Sequence, residues 1–299
     1  MYADLHRHLD GSLRMQTVAA LAAERGLTVP PDLAFNDGMG LSEALSRFAF
    51  TLSLLDTPQA VARVAAEICD DATAEGVSTL EIRFAPQLHT GAPMAEILDA
   101  ALYGIAGRAG LILCGLYGEA PSQLEALVRL GADRAGVVGL DLAGGPSPEH
   151  DFTMSSYAPA FTLAAEVGLG RTVHAGEGRP PQEIRVAVEQ LSAQRIGHGT
   201  TILDDPSVVS LLIERGVTIE ACVTSNLHTG IISTRSAHPL PRWLDAGLTV
   251  CACTDNTLLS AVDSPEEHRR IRQLPGMSDA RLAAIIAAGH AAAFPLRLS

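Results

Sequence analysis

Eight short apolar runs alternate with stretches of helical periodicity along this 299-residue chain, and that alternation limits its fold more than any other feature. Strands buried on both faces of a parallel sheet are nearly continuous in apolar residues, and each needs a crossover, usually a helix, to reach the next. Residues 58–76 and 205–216 are such helical stretches, in which apolar residues return at intervals of three and four. The eight runs are ADLHRHL (3–9), STLEIRFAP (78–86), LILCGLY (111–117), VVGLDLAG (137–144), RTVHAGE (171–177), RIGHG (195–199), VTIEACVTSN (217–226) and LTVCACTDN (248–256).

The alternation predicts a (β/α)₈ barrel, because eight strand–helix repeats with short connections are what such a barrel requires. A doubly wound open sheet is the alternative, since the repeat count rests on pattern alone. Residues 16–55 are longer than one helix, which predicts extra helices after the first strand. No linker or low-complexity tract divides the chain, so we expect residues 1–299 to form a single domain.

Charge and composition exclude several classes of function. The formal net charge of −13 opposes binding to nucleic acid and suits a small neutral or cationic ligand. The chain contains no lysine, since all 21 basic residues are arginine. This absence excludes Schiff-base catalysis, phosphate-binding loops of the GK[ST] type and metal pairs bridged by a modified lysine.

We expect a cytoplasmic protein that does not enter a membrane. The first residues lack the basic and then apolar pattern of a secretory signal, and no apolar run approaches the roughly 20 residues that cross a bilayer. The five cysteines form no CxxC pair and lie in apolar runs. They are predicted to be buried free thiols, which agrees with a reducing compartment.

Potentially catalytic side chains lie at the C-terminal ends of the predicted strands. In a (β/α)₈ barrel these ends surround one axis, so residues far apart in the sequence converge above them. The side chains concerned are His6 and His8 in the first run, His174 and Glu177 in the fifth, His198 in the sixth, Ser225 and Asn226 in the seventh, and Asp255 and Asn256 in the eighth.

His6 and His8 form one half of a candidate metal site. Side chains two residues apart share a face of a strand, so both imidazoles point into the barrel. Taken alone, the pair is also compatible with two hydrogen-bonded core histidines. Together with His174 and Asp255 it becomes a set of three histidines and one aspartate with an open position, which suits Zn²⁺. Cys251 and Cys253 are interpreted as packing residues rather than ligands.

Glu177 and His198 are the candidate acid and base for chemistry at a metal-bound water. In isolation, each has a plainer interpretation: His198 as a packed histidine, and Glu177 as a carboxylate at a helix N-terminus. The chain lacks the HxE and PCxxC motifs of the zinc deaminases that act on cytidine.

The segments HRHLDGSLR, DLAGG, HAGE, RIGHGT, TSNLHTG and TDN occur in this order across essentially the whole chain, which resembles the adenosine deaminase family of the amidohydrolase superfamily. HAGE followed about twenty residues later by GHG is the most specific part of this likeness, whereas HxH and TDN are weaker alone. The resemblance implies a (β/α)₈ barrel that holds one zinc ion and hydrolyses a 6-aminopurine nucleoside to inosine and ammonia.

The resemblance also implies roles for individual residues. His6, His8, His174 and Asp255 bind the zinc, Glu177 donates a proton to purine N1, and His198 orients and deprotonates the attacking water. Asp10 contacts the ribose 5′-hydroxyl, the Gly144 N–H meets N3, and Asn256 meets N7. Many family members carry a second aspartate at the position of Asn256, but an amide is a permanent donor, so the contact with N7 is retained.

Several alternatives remain open from the sequence. The same chemistry could act on 6-aminodeoxyfutalosine, an N6-substituted adenosine or free adenine, although Asp10 favours a nucleoside over the free base. A mononuclear amidohydrolase with a non-purine substrate and a barrel without catalytic activity are two further classes. Phe48, Phe50 and Leu54 are either an apolar lid or part of the core, and His228 and His238 are without an assigned role.

Overall fold

The computed structural model describes residues 1–296, and within that range eight parallel strands follow one another around a barrel in sequence order. The predicted (β/α)₈ architecture is therefore confirmed, and the open doubly wound alternative is wrong. The strands are β1 (Tyr2–His8), β2 (Val77–Phe84), β3 (Gly110–Leu116), β4 (Val137–Ala143), β5 (Gly170–Ala175), β6 (Arg195–His198), β7 (Thr218–Ala221) and β8 (Thr249–Ala252).

Helices surround the barrel and connect its strands. Two of them, α1 and α2, precede the β1–β2 crossover helix α3, which confirms the extra helical segment predicted after the first strand. The α-helices are α1 (Met15–Glu24), α2 (Leu41–Leu54), α3 (Pro58–Ala74), α4 (Met94–Ile105), α5 (Pro121–Ala132), α6 (Ala158–Glu166), α7 (Gln182–Glu189), α8 (Pro206–Arg215), α9 (Val223–His228), α10 (Leu240–Asp245), α11 (Ser264–Arg272) and α12 (Asp279–Ala292). Across residues 1–296, no helix combines the length and the apolar character needed to span a membrane.

Backbone hydrogen bonds between β1 and the residues after β8 join the two ends of the sheet. The His8 N–H donates to the Asp255 carbonyl at 2.7 Å, and the Asp255 N–H donates to the His6 carbonyl at 2.8 Å. A pattern of this kind is that of a parallel pair. The chain segment carrying Asp255 is thereby fixed directly beside the strand that carries both N-terminal histidines.

The seventh apolar run is not one long strand. It is a strand only over Thr218–Ala221, after which residues 223–228 form the short helix α9. Ser225 and Asn226 therefore lie on a helix above the barrel, and the sequence-based placement of these two residues on a strand was wrong. The Glu267 carboxylate accepts a hydrogen bond from the Thr224 N–H at 3.1 Å, which satisfies a backbone donor at the start of α9.

Apolar side chains fill the layer between strands and helices, whereas the barrel interior contains charged groups. On β2, for example, Leu80, Ile82 and Phe84 belong to the main apolar core, and the intervening Glu81 and Arg83 are buried among other polar residues. This alternation follows from the two-residue period of a strand. The interior charges form ion pairs, as buried charges must to offset their desolvation.

The segment after α12 closes the bottom of the barrel. The Phe294 ring lies 3.7 Å from the Arg195 guanidinium, and the Phe294 N–H donates to Glu81 at 2.6 Å. The same ring lies where a Cβ on Gly139 or Gly170 would be, at 2.8 Å and 2.2 Å respectively. Glycine at these two strand positions therefore makes room for the phenylalanine.

Phe294→Ala should lower the free energy of unfolding by about 3–5 kcal/mol, because a buried aromatic ring is removed and a cavity remains. Urea unfolding followed by circular dichroism measures this change. Leu296→Ala is the control, since that side chain is 47% exposed. A Phe294→Ala protein as stable as this control would contradict the packing described here.

Candidate metal and substrate site

The C-terminal ends of β1, β5, β6 and β8 bring the predicted metal and catalytic residues together. His6 and His8 come from β1, and His174 from β5. His198 ends β6 and Asp255 follows β8, and both adopt the left-handed backbone conformation, with φ of 68° and 63°. This conformation is uncommon outside glycine, and such residues cluster at functional sites.

Four side chains present nitrogen and oxygen atoms to one point. His8 Nε2 lies 3.3 Å from His174 Nε2, and the Asp255 Oδ1 atom lies 3.4 Å from His8 Nε2 and 3.5 Å from His6 Nε2. Ligand atoms of the three histidines all lie within 4.8 Å of one another. Asp255 is only 5% exposed, so this convergence occurs away from bulk water.

These separations fit four side chains that bind one divalent cation. Ligand atoms about 2.0–2.1 Å from a tetrahedral ion lie roughly 3.3–3.4 Å apart, close to the distances observed here. His6 Nε2 is buried, and no hydrogen-bond partner for it occurs within residues 1–296. A metal ion would satisfy that lone pair and would separate the two facing Nε2 atoms of His8 and His174.

Two buried carboxylates orient the ligand imidazoles. His6 Nδ1 lies 2.7 Å from Glu220 Oε2, and His174 Nδ1 lies 3.2 Å from Asp141 Oδ1. Arg83 donates to both carboxylates, at 2.9 Å to Glu220 and 2.8 Å to Asp141. A proton on each Nδ1 leaves the Nε2 lone pair free to bind a metal, which is the arrangement that fixes histidine ligands in metal sites.

The pKa values of the histidines reflect this environment. Burial lowers the pKa of His6 and His8 well below the ordinary 6.5, and it lowers that of His198 to about 4. Burial also acts to lower the pKa of His174, but the Asp141 carboxylate outweighs it and the pKa is raised. Neutral imidazoles at His6 and His8 keep their lone pairs available to a metal.

Glu177 and His198 lie beside the four candidate metal ligands and line the same pocket. His198 Nδ1 is 3.9 Å from Glu177 Oε1, and both side chains are buried. Burial raises the pKa of Glu177 above its ordinary value. A raised pKa extends the pH range over which the carboxyl group carries a proton that it can donate to a substrate.

Two adjoining cavities open beside these groups. The smaller, of about 60 Å³, is lined by predicted site residues and by Phe35, Phe48 and Leu41. The larger, of about 330 Å³, contains Asp10 and lies between α2 and the ends of β3 and β4. The predicted site residues lining the smaller cavity are His8, Gly144, His174, Glu177, His198, Asp255 and Asn256.

The three predicted substrate-binding residues face these cavities. Gly144, with φ of 75°, borders both, and a Cβ added to it would meet no atom within 4 Å. The Asn256 amide packs on Gly11, where an added Cβ would lie 1.8 Å from Asn256 Oδ1, so this position requires glycine. Burial raises the pKa of Asp10 to about 7.

The residues for which the sequence left two interpretations lie partly in the site and partly in the core. Phe48 borders both cavities, whereas Leu54 is fully buried in the core. The five cysteines are free and buried, as predicted. The Sγ atoms of Cys251 and Cys253 lie 3.8 Å apart in a small apolar cluster that also contains Cys222. Cys222 lies near His6, His198 and Asp255 as well. Burial raises the pKa of the Cys222 thiol well above its ordinary value.

The residues that hold the ligand imidazoles in place were not predicted from the sequence. Asp141, Glu220 and Arg83 were not singled out, although each is a charge inside an otherwise apolar strand run. Such a charge cannot remain unpaired in a barrel interior, and that was the available signal. Ser225 and Asn226 were noted without a role; the Ser225 side chain acts to lower the pKa of Asp255, and Asn226 Nδ2 lies 3.1 Å from His198 Nδ1.

Asp141→Asn should weaken divalent-metal affinity about 10- to 100-fold, because loss of the carboxylate removes the partner that orients His174. Competition between the protein and a zinc chelator measures this affinity. Asp133→Asn, an exposed change at the end of α5, is the control. Equal zinc affinities of the two variants would contradict a supporting role for Asp141.

Comparison with known proteins shows which family this chain belongs to. A family model described as "Adenosine deaminase" matches residues 2–295. The adenosine deaminase of Enterococcus faecalis is 34% identical over 287 residues, which cover 90% of this chain and 84% of that protein.

Among solved structures, the adenine deaminase of Arthrobacter aurescens superposes with a TM-score of 0.89 at 26% identity, covering 98% of this chain and 94% of its own. An amidohydrolase from Burkholderia ambifaria with bound Zn superposes with a TM-score of 0.87 at 25% identity, covering 98% and 85% of the two chains. The chain is therefore a hydrolase of C–N bonds that belongs to the adenosine deaminase family.

Proposed function

We propose that this protein deaminates an adenine nucleoside by hydrolysis at C6, releasing ammonia and the inosine product. The observation that carries the proposal is one buried pocket holding both the four metal-type ligands and a carboxyl group whose pKa is raised by burial. The metal ligands would position a nucleophile inside the pocket, and Glu177 would donate a proton to the ring nitrogen. Family membership supports the same reaction class.

We propose that His6, His8, His174 and Asp255 hold one zinc ion per chain. Three imidazole nitrogens and one carboxylate oxygen form a donor set that zinc accepts readily, and a water would be an additional ligand. When bound, the zinc supplies a water whose pKa is lowered toward about 7. Asp141 and Glu220 hold two of the imidazoles so that Nε2 faces the ion.

Glu177 is the proposed acid toward purine N1. A proton on N1 relieves the negative charge that develops in the ring when an oxygen adds to C6. Asn256 and Gly144 line the same cavity as Glu177, where the Asn256 amide would donate to N7 and the Gly144 backbone would donate to N3. We propose that His198 orients the attacking water.

The larger cavity favours an uncharged ribose over a phosphate. Asp10 provides an acceptor for the 5′-hydroxyl, and within residues 1–296 no arginine lines either cavity. The Arg179 guanidinium lies over the Tyr117 ring, 5.5 Å from its centroid, and Arg179 pairs with Glu183 at 2.7 Å. An adenosine carrying an uncharged 5′ group is a second candidate, since the cavity of about 330 Å³ exceeds what a hydroxymethyl group fills.

Glu177→Gln should lower kcat for adenosine by about 10²- to 10⁴-fold, because the amide cannot transfer a proton to N1. Ammonia release measures turnover, and elemental analysis should still find one zinc per chain. Glu189→Gln, an exposed change on α7, should retain full activity. Wild-type turnover by Glu177→Gln would remove Glu177 from the reaction.

Adenosine and 2′-deoxyadenosine should be hydrolysed with a kcat/KM at least about 100-fold above that of AMP, since burying an unpaired phosphate costs several kcal/mol. Product formation is followed by chromatography of the purines, with adenine and 5′-methylthioadenosine in the same panel. A preference for AMP would contradict the uncharged subsite, and no turnover of any aminopurine would contradict the proposed function.

A further inference from the structure

A line of buried hydrogen bonds extends from the backbone of α10 to the imidazole of His198. The Leu240 N–H donates to His238 Nδ1 at 3.2 Å. His238 Nε2 lies 3.3 Å from Asn226 Oδ1, and Asn226 Nδ2 lies 3.1 Å from His198 Nδ1. All three side chains are buried, Asn226 completely.

The backbone amide at the start of this line determines the direction of every bond in it. A peptide N–H donates only, so His238 Nδ1 must accept and the proton of a neutral ring lies on Nε2. That proton is donated to the Asn226 oxygen, which orients the amide with its NH₂ group toward His198. His198 Nδ1 therefore accepts a hydrogen bond.

The surroundings of His238 keep its imidazole in the neutral form. Its ring stacks edge-on against Trp243, with 5.3 Å between ring centroids. Burial lowers the pKa of His238 to about 3. A second proton would have to lie on Nδ1, directly opposite the Leu240 N–H, and two donors facing each other repel.

We propose that His198 enters the reaction with its proton on Nε2, and that Asn226 and His238 are positioning residues that impose this tautomer. With Nδ1 engaged by Asn226, Nε2 is the nitrogen left for the pocket that His198 lines. His198 then donates a hydrogen bond to the oxygen that adds to C6. The identity of that oxygen rests on the proposed function, whereas the tautomer does not.

This assignment differs from the role that the family resemblance implies for His198. A neutral imidazole with a proton on Nε2 cannot take a further proton at that atom. When the O–H bond of the attacking water breaks, its proton goes instead to a carboxylate that lines the pocket. His198 contributes by donating to an oxygen on which negative charge develops.

Long-range ¹H–¹⁵N spectra of protein labelled at histidine nitrogen test the tautomer in the wild-type enzyme. The His198 resonances are assigned by their loss in His198→Gln. We expect a protonated Nε2 and an unprotonated Nδ1 for His198 and for His238 alike, with or without zinc. A proton on His198 Nδ1 would overturn the proposal, whatever the activity of the enzyme.

Asn226→Asp is the matched functional test. The carboxylate has the same shape but only accepts, so it would draw the His198 proton to Nδ1 and leave Nε2 without one. We expect kcat for adenosine to fall by about 10²- to 10³-fold, the usual loss when a donor to a developing oxyanion is removed. Zinc content and KM should change little.

The outcomes separate this proposal from the proposed function. Asn36→Asp makes the same substitution in an exposed turn and should behave as wild type. If Asn226→Asp retains or exceeds wild-type kcat, then His198 acts as a base and the proposal is wrong. Should the spectra show the expected tautomer while no aminopurine is hydrolysed, the proposed function alone fails.

Discussion

Arg83 forms ion pairs with both carboxylates that orient the candidate metal-binding histidines. The geometry of the site depends on these buried ion pairs. Asp141 and Glu220 each accept from Arg83 while accepting from His174 and His6. Charges in a barrel interior are tolerated only when they are paired, and removing one partner of a buried pair costs about 3–5 kcal/mol. The interaction that offsets their desolvation thus also fixes the direction of the ligand nitrogens.

The barrel supplies the remaining geometry by bringing strand ends to one place. His198 and Asp255 both leave their strands in the left-handed conformation, which turns each side chain across the top of the barrel. Such backbone geometry costs about 1–3 kcal/mol per residue and persists only where surrounding contacts determine it. The closing hydrogen bonds between Asp255 and β1 are contacts of this kind.

Helix α9 links the fold to the orientation of His198. Because β7 ends at Ala221, the following residues turn into a helix that carries Ser225 to Asp255 and Asn226 to His198. The helix is held at its start by Glu267 and is followed by the segment that brings in His238. One interruption of a strand therefore determines how two side chains of the pocket are held.

The strand count and the parallel order followed from the sequence, because burial on both faces of a sheet requires nearly continuous apolar runs. His6 and His8 were recognisable since a two-residue spacing places side chains on one face of a strand. The pairing of His174 with Asp141, the helix that replaced the end of the seventh run and the line from Leu240 to His198 were not recognisable. These contacts join residues from separate strands and helices, and only packing in three dimensions decides which of many buried polar groups meet.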